Sequence, residues 1–317
     1  MEFTTKQQIV VAVKEYMASH NLTQADVSRK ADVRKEYLNI ILKENSEFMY
    51  DAGGKKGLIN VKVFNQLADL VGFSIEKVYW TPQPTEQMVS VIANLEEAKK
   101  FGATTVIIGE TGAGKTYAVT LFSNKHPLDT FVVTVGSTDT LGDLIDKVID
   151  SLKITSGKSK SKKLRDIAKR MKDLKSQNFN PQIIFDESEY MKQPALCSMK
   201  ELYDNLHKYC SIVLVGTDQL TTNIEKLQKR NKAGIPQLYR RIKFGIRVLP
   251  VIDRRFDLFL KDINDKSLVK FITKHCDNYG EVHDVLVPTL READRTNQPI
   301  TEALMRRVLN INQSMFV

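Results

Sequence analysis

Cysteine occurs only three times in 317 residues, as Cys197, Cys210 and Cys276, and tryptophan only once. Three thiols with no metal-ligand spacing exclude a disulfide-stapled scaffold and a zinc module, and fit packing roles in a reducing cytoplasm. No apolar run approaches the roughly 18–20 residues that cross a bilayer, so neither a transmembrane helix nor a membrane partner is expected. The opening residues lead into an amphipathic helix instead of a basic stretch followed by an apolar core, which argues against a secretion signal. No repeat recurs at a period of 20–50 residues. With 42% hydrophobic and 27% charged residues, the chain has the material for two or three small folded domains.

The formal net charge is +9, and it is unevenly spread. Residues 153–175 carry ten basic and two acidic side chains, and residues 226–247 carry eight basic and no acidic ones. The rest of the chain is therefore net acidic. Two dense positive blocks on such a background predict a surface for a polyanion. Aromatic residues are sparse near them, which favours duplex phosphates over stacked single-stranded bases.

Hydrophobic spacing divides the chain. Residues 1–80 read as an all-α unit: Ile9, Val10, Val13, Tyr16 and Met17 recur at helical spacing, and residues 22–42 form a tight helix–turn–helix pattern. There Thr23 caps a helix over 24–30, with Ala25, Val27 and Ser28 inward. After a break at Ala31-Asp32-Val33, a second helix turns Tyr37, Leu38, Ile41 and Leu42 inward. Closing helices are expected over 58–79. Two prolines within Thr81-Pro82-Gln83-Pro84-Thr85 then mark a linker over 81–85. From 86 to 247 short apolar strands (104–108, 130–135, 182–185, 211–215) alternate with helices, predicting an α/β core with a parallel sheet covered on both faces. Residues 248–317 read as a small helical subdomain.

The strongest motif is Gly109-Glu110-Thr111-Gly112-Ala113-Gly114-Lys115-Thr116, directly after the strand over 104–108 and opening a helix that begins with Tyr117. This is a P-loop in the context it requires. Glycines let backbone N–H groups wrap phosphates, and the helix N-terminus adds positive potential. Lys115 is placed to reach β- and γ-phosphates, and the Thr116 hydroxyl to ligate Mg²⁺, so ATP and Mg²⁺ are the expected cofactors. The second motif is Ile183-Ile184-Phe185-Asp186-Glu187, an apolar strand ending in two carboxylates. Asp186 suits Mg²⁺ and Glu187 suits the orientation of an attacking water, a pairing that predicts hydrolysis and not binding alone.

Three resemblances follow from the sequence. The order Gln-Ala-x-Val-Ser…Val-x-x-x-Tyr-Leu resembles the helix-turn-helix of phage-repressor-type DNA-binding domains, in which Arg34, Lys35, Glu36 and Asn39 would face DNA. Asp32 stands where glycine is common in that turn, and residues 1–80 are nearly neutral. A protein-docking use of the same unit is the alternative.

The P-loop and the Asp-Glu strand resemble those of AAA+ ATPases. That resemblance implies a polar sensor at the end of the next strand, where Thr217 stands. It also implies an arginine finger at Arg240 or Arg241, with Arg241 preferred, donated to a neighbouring subunit. Gly280 to His283 resembles the start of the lid helix, but His283 replaces the expected arginine, and Arg291 is a poor substitute.

The layout as a whole resembles the family of AAA+ transposition regulators, the phage Mu B, IstB and TnsC types. The family implies a helical filament of identical subunits on duplex DNA without sequence preference, delivery of that DNA to a transposase, and a bacterial or phage-encoded cytoplasmic protein. In such an assembly Lys158, Lys160, Lys162, Lys163, Arg165, Lys169 and Arg170, with Lys172 and Lys175, would line the DNA path. A replication-type helicase loader or initiator is the alternative function. A regulator reading an operator with residues 23–43 is a third.

Overall fold

The computed structural model describes residues 1–312 except 2, 44–46, 53–54, 74–78 and 208. Among the described residues no helix is long and apolar enough to cross a membrane. The chain separates into two compact units, Met1–Val78 and Tyr79–Val317.

The first unit consists of α1 (Phe3–Ser19), α2 (Gln24–Lys30), α3 (Lys35–Ile41), β1 (Met49–Ala52), β2 (Lys55–Leu58) and α4 (Val61–Val71). Ile9 and Val13 of α1, Val27 of α2, Leu38 and Ile41 of α3, and Phe64 and Leu67 of α4 form one closed core. Thr23 and Asp26 make a reciprocal capping box that starts α2. Asp32 adopts φ +53°, the left-handed conformation that the turn between α2 and α3 demands, so a carboxylate residue here does what glycine would do. Arg34, Lys35, Glu36 and Asn39 are all exposed.

The all-α expectation needs correction. β1 and β2 pair as an antiparallel hairpin, Met49 opposite Leu58. Its strands are four residues each and carry no clear alternation of apolar and polar residues, so periodicity had little to detect. Of the closing helical run expected over 58–79, α4 accounts for residues 61–71; residues 74–78 lie outside the described residues.

The second unit is built on five parallel strands: β3 (Thr104–Ile108), β4 (Thr130–Thr134), β5 (Gln182–Asp186), β6 (Ser211–Gly216) and β7 (Ile246–Val248), in the order β4-β5-β6-β3-β7. β3 and β6 are joined in register from Thr104 opposite Ile212 to Ile108 opposite Gly216. Alternate residues feed opposite faces. Val106, Ile108, Ile183, Phe185, Ile212 and Leu214 join the core with α7 (Leu141–Ser151), α8 (Lys160–Ser176), α9 (Gln193–Leu206), α10 (Asp218–Lys229) and α11 (Ile235–Ile242). Ile107, Ile184, Val213 and Val215 instead meet α5 (Glu86–Phe101) and α6 (Lys115–Lys125). This two-sided burial is why the strands read as continuous apolar runs. The sequence signal misses β7, a three-residue edge strand in which Arg247 and Val248 are exposed.

The C-terminal helices α12 (Asp257–Leu260), α13 (Lys266–His275), α14 (Tyr279–Thr296) and α15 (Glu302–Val308) share a separate core of Phe256, Leu260, Leu268, Ile272, Val282, Leu286 and Met305. Ala113 of the P-loop, 1% exposed, belongs to this core and not to that of the sheet. The phosphate-binding sequence is therefore wedged between sheet and C-terminal helices.

Candidate nucleotide site

The carboxyl ends of β3, β5 and β6 lie side by side, the place where open parallel sheets bind ligands. Gly109 leaves β3 by donating its N–H to the Gly216 carbonyl at the end of β6 (3.1 Å). The loop then turns through left-handed Gly112 (φ +73°) and Gly114 (φ +77°) before α6 begins at Lys115. A side chain at Gly112 would collide with Asn278, the N-cap of α14, at 2.3 Å. Thr111 and Thr116 are exposed, and Glu110 and Lys115 are half-buried.

Lys115 Nζ donates to the carbonyls of Gly109 (2.9 Å) and Glu110 (2.7 Å). Burial depresses its pKa, and nearby carboxylates, Glu189 first and then Asp186, oppose that shift. Asp186 is 2% exposed and accepts the Glu187 N–H at 3.0 Å. Glu187 itself takes a left-handed backbone (φ +55°) and is exposed. A strained non-glycine residue at a strand end is a recurrent mark of functional sites. Thr217, 9% exposed, stands at the start of α10 with its hydroxyl buried and without a hydrogen-bond partner.

Beside the P-loop opens a cleft of about 640 Å³, lined by Trp80, Met88, Tyr117, Phe259, Tyr279 and His283 as well as residues 112–116. Trp80 stacks on Phe259 (4.6 Å between centroids, 8° between planes), and His283 meets Trp80 edge-on. Tyr279 donates its hydroxyl to Gln87 Oε1 at 2.8 Å. The cleft offers flat apolar surfaces next to a nest of backbone donors, a combination suited to a base attached to phosphates.

The two candidate finger arginines differ sharply. Arg241 is held on α9 by Asp204 (2.7 Å) and lies over the Tyr203 ring, whereas Arg240 is exposed. Of the lid candidates, His283 lines the cleft while Arg291 is drawn to the Tyr79 ring. Sequence reasoning missed Arg254, which joins Glu110 of the P-loop (3.0 Å) to Asp277 ahead of α14 (3.3 Å). It sits in an irregular segment, where nothing in the local pattern singles out one arginine.

The basic helix α8 buries Leu164, Ile167, Met171 and Leu174 and turns its charges outward. Lys158, Lys160, Arg165, Lys169, Lys172 and Lys175 are exposed. Lys162 is paired with Asp166 at 2.7 Å, Lys163 with Asp146, and Arg170 is half-buried with Nε unpartnered.

Fold and site together define a P-loop nucleotide-binding domain. Residues 102–224 match the family model of the AAA domain. The chain is similar to the solved ORC2 protein of Aeropyrum pernix in its ADPNP-ADP complexes, with 15% identity over 75% of this chain and 71% of that one, TM-score 0.54. It is also similar to Cdc6p of Pyrobaculum aerophilum, with 14% identity over 74% and 69% and TM-score 0.53. At such identities the likeness is one of fold. No curated protein sequence matches the chain.

Proposed function

We propose that this protein is an ATP-hydrolysing switch that assembles on duplex DNA without sequence preference and presents that DNA to a transposase. The observation that carries the nucleotide part is the glycine-turned loop feeding Lys115 and α6, set beside buried Asp186. Thr116 and Asp186 offer Mg²⁺ one hydroxyl and one carboxylate, a set that suits this ion when phosphate oxygens and water complete its shell. When bound, Mg²⁺ neutralises charge on the phosphates. Lys115 exchanges its two loop carbonyls for phosphate oxygens, Thr217 reports on the γ-phosphate, and Glu187 faces the water side. Arg240, exposed near the end of α11, is the better placed of the two arginines to reach a neighbouring copy.

The outward charge of α8 supports binding to phosphate backbones, and the exposed Arg34 and Lys35 support a second contact from the N-terminal unit. Presentation to a transposase rests on the sequence resemblance. The fold likeness to ORC2 and Cdc6p favours the second reading, a replication-type initiator or loader.

Electron microscopy of the full chain on random-sequence duplex, with a non-hydrolysable ATP analogue or with ADP, separates the two. Continuous filaments with the analogue alone are expected. Closed rings or isolated particles would favour the loader.

A further inference from the structure

Besides the Asp-Glu pair, the segment after β5 carries a third acidic residue, Glu189. Glu187 is exposed. Glu189 lies in the short 3₁₀ turn Ser188–Tyr190, and its Oε2 is buried without a hydrogen-bond partner. That oxygen lies so close to Gly216 that an added methyl group there would come within 2.6 Å of it. Gly216 in turn holds the P-loop through the Gly109 N–H, and the next residue is Thr217, whose buried hydroxyl is likewise unpartnered. Of the carboxylates that favour the charged form of Lys115, Glu189 ranks first.

Two buried, unsatisfied oxygens flanking one glycine are costly unless a donor serves both. A carboxylate only accepts, whereas a hydroxyl donates once and accepts twice. One water that donates to both oxygens satisfies the pair, and it leaves the single O–H of Thr217 free to donate elsewhere.

We propose that Glu189 is a positioning residue for γ-phosphate recognition: through a bridging water it turns the Thr217 hydroxyl towards the phosphate loop, so that Thr217 donates to the γ-phosphate of ATP and finds no such acceptor in ADP. The inference rests on the nucleotide-site reading above and adds to it a residue that decides between ATP and ADP.

The test measures the affinities of the full-length protein for a non-hydrolysable ATP analogue and for ADP, with Glu189→Gln, Glu189→Asp, Thr217→Val and the Glu189→Gln/Thr217→Val double variant. Thermal unfolding confirms that each is folded. Glu189→Gln replaces the charged, acceptor-only carboxylate by a neutral amide that accepts more weakly and can also donate to the water. The expected result is a tenfold to hundredfold loss of analogue-over-ADP preference, the scale of one hydrogen bond to a charged group. Glu189→Asp should recover part of the preference, and the double variant should be no worse than the poorer single one, as for groups acting through one intermediary.

An unchanged preference in Glu189→Gln, or additive losses in the double variant, would overturn the proposal. So would an increased preference, which is the effect of merely removing a negative charge beside the phosphates. If the wild-type chain bound neither nucleotide, the nucleotide reading itself would fall. Normal wild-type discrimination that survives Glu189→Gln would remove only the role of Glu189.

Discussion

The two walls of the nucleotide site are made in different ways. The P-loop, Gly109 to Thr116, works through its backbone: its left-handed glycines aim N–H groups, and Lys115 adds one fixed charge at the start of α6. The wall after β5, Asp186 to Tyr190, works through side chains whose neighbours come from β6 and α10. The first wall is written in one contiguous stretch. The second is assembled across thirty residues, and its turn passes through one left-handed residue, Glu187. A contiguous motif thus fixes both identity and geometry, whereas an assembled one fixes identity only.

Replacing Lys115 by Ala tests the first wall where it depends most on a side chain. The variant loses a charge that makes several charge-assisted hydrogen bonds to phosphate, each worth about 1.5–3 kcal/mol. ATP affinity should fall by at least about a hundredfold in a fluorescent-nucleotide titration. A loss under tenfold would mean that backbone groups alone carry the binding, and the contrast between the walls would be greater still.

The glycines sharpen the same contrast. Gly112 and Gly114 are both left-handed, but only Gly112 is crowded, by Asn278 at 2.3 Å, while nothing lies within 4 Å of a Cβ at Gly114. Gly114→Ala should therefore cost only the backbone strain, about 1–2 kcal/mol. Gly112→Ala should cost that and a steric term, weakening nucleotide binding further, by roughly another tenfold. Adding Asn278→Gly to Gly112→Ala removes the Asn278 Cβ, 2.6 Å from the added methyl group, together with the amide, and should abolish the steric part while leaving the strain. Equal effects of the two alanines would show that contact between P-loop and α14 contributes nothing to binding.

Much of this was legible before the structure. The α/β core was readable because buried parallel strands are continuous apolar runs, and Ile183 to Phe185 or Ile212 to Val215 have no competing helical period. The P-loop was readable because its chemistry is local. What escaped was short or non-local. The β1–β2 hairpin and β7 are too brief for periodicity to act on. Glu189 and Arg254 gain their positions from partners far away in sequence, Gly216 for one and Glu110 for the other. Nothing in the local sequence shows that Asp204 on α9 holds Arg241 while Arg240 stays exposed.

The basic helix extends the comparison to weaker forces, for its charges too divide into those turned outward and those held by neighbours. Arg165 and Lys169 are exposed, while Lys162 and Lys163 are engaged by Asp166 and Asp146. Each charge that neutralises a DNA phosphate contributes about 0.9 to the slope of log affinity against log salt. Replacing Arg165 and Lys169 by Gln should therefore lower that slope by nearly two and weaken duplex binding alike on all sequences. The same change at Lys162 and Lys163 should do distinctly less, because those ammonium groups must first leave a carboxylate. Filter-binding titrations at several salt concentrations measure both. If the paired lysines prove equal to the exposed residues, their ion pairs are as weak as exposed pairs commonly are and yield to DNA at no cost, and the whole helix face acts as one uniform positive surface.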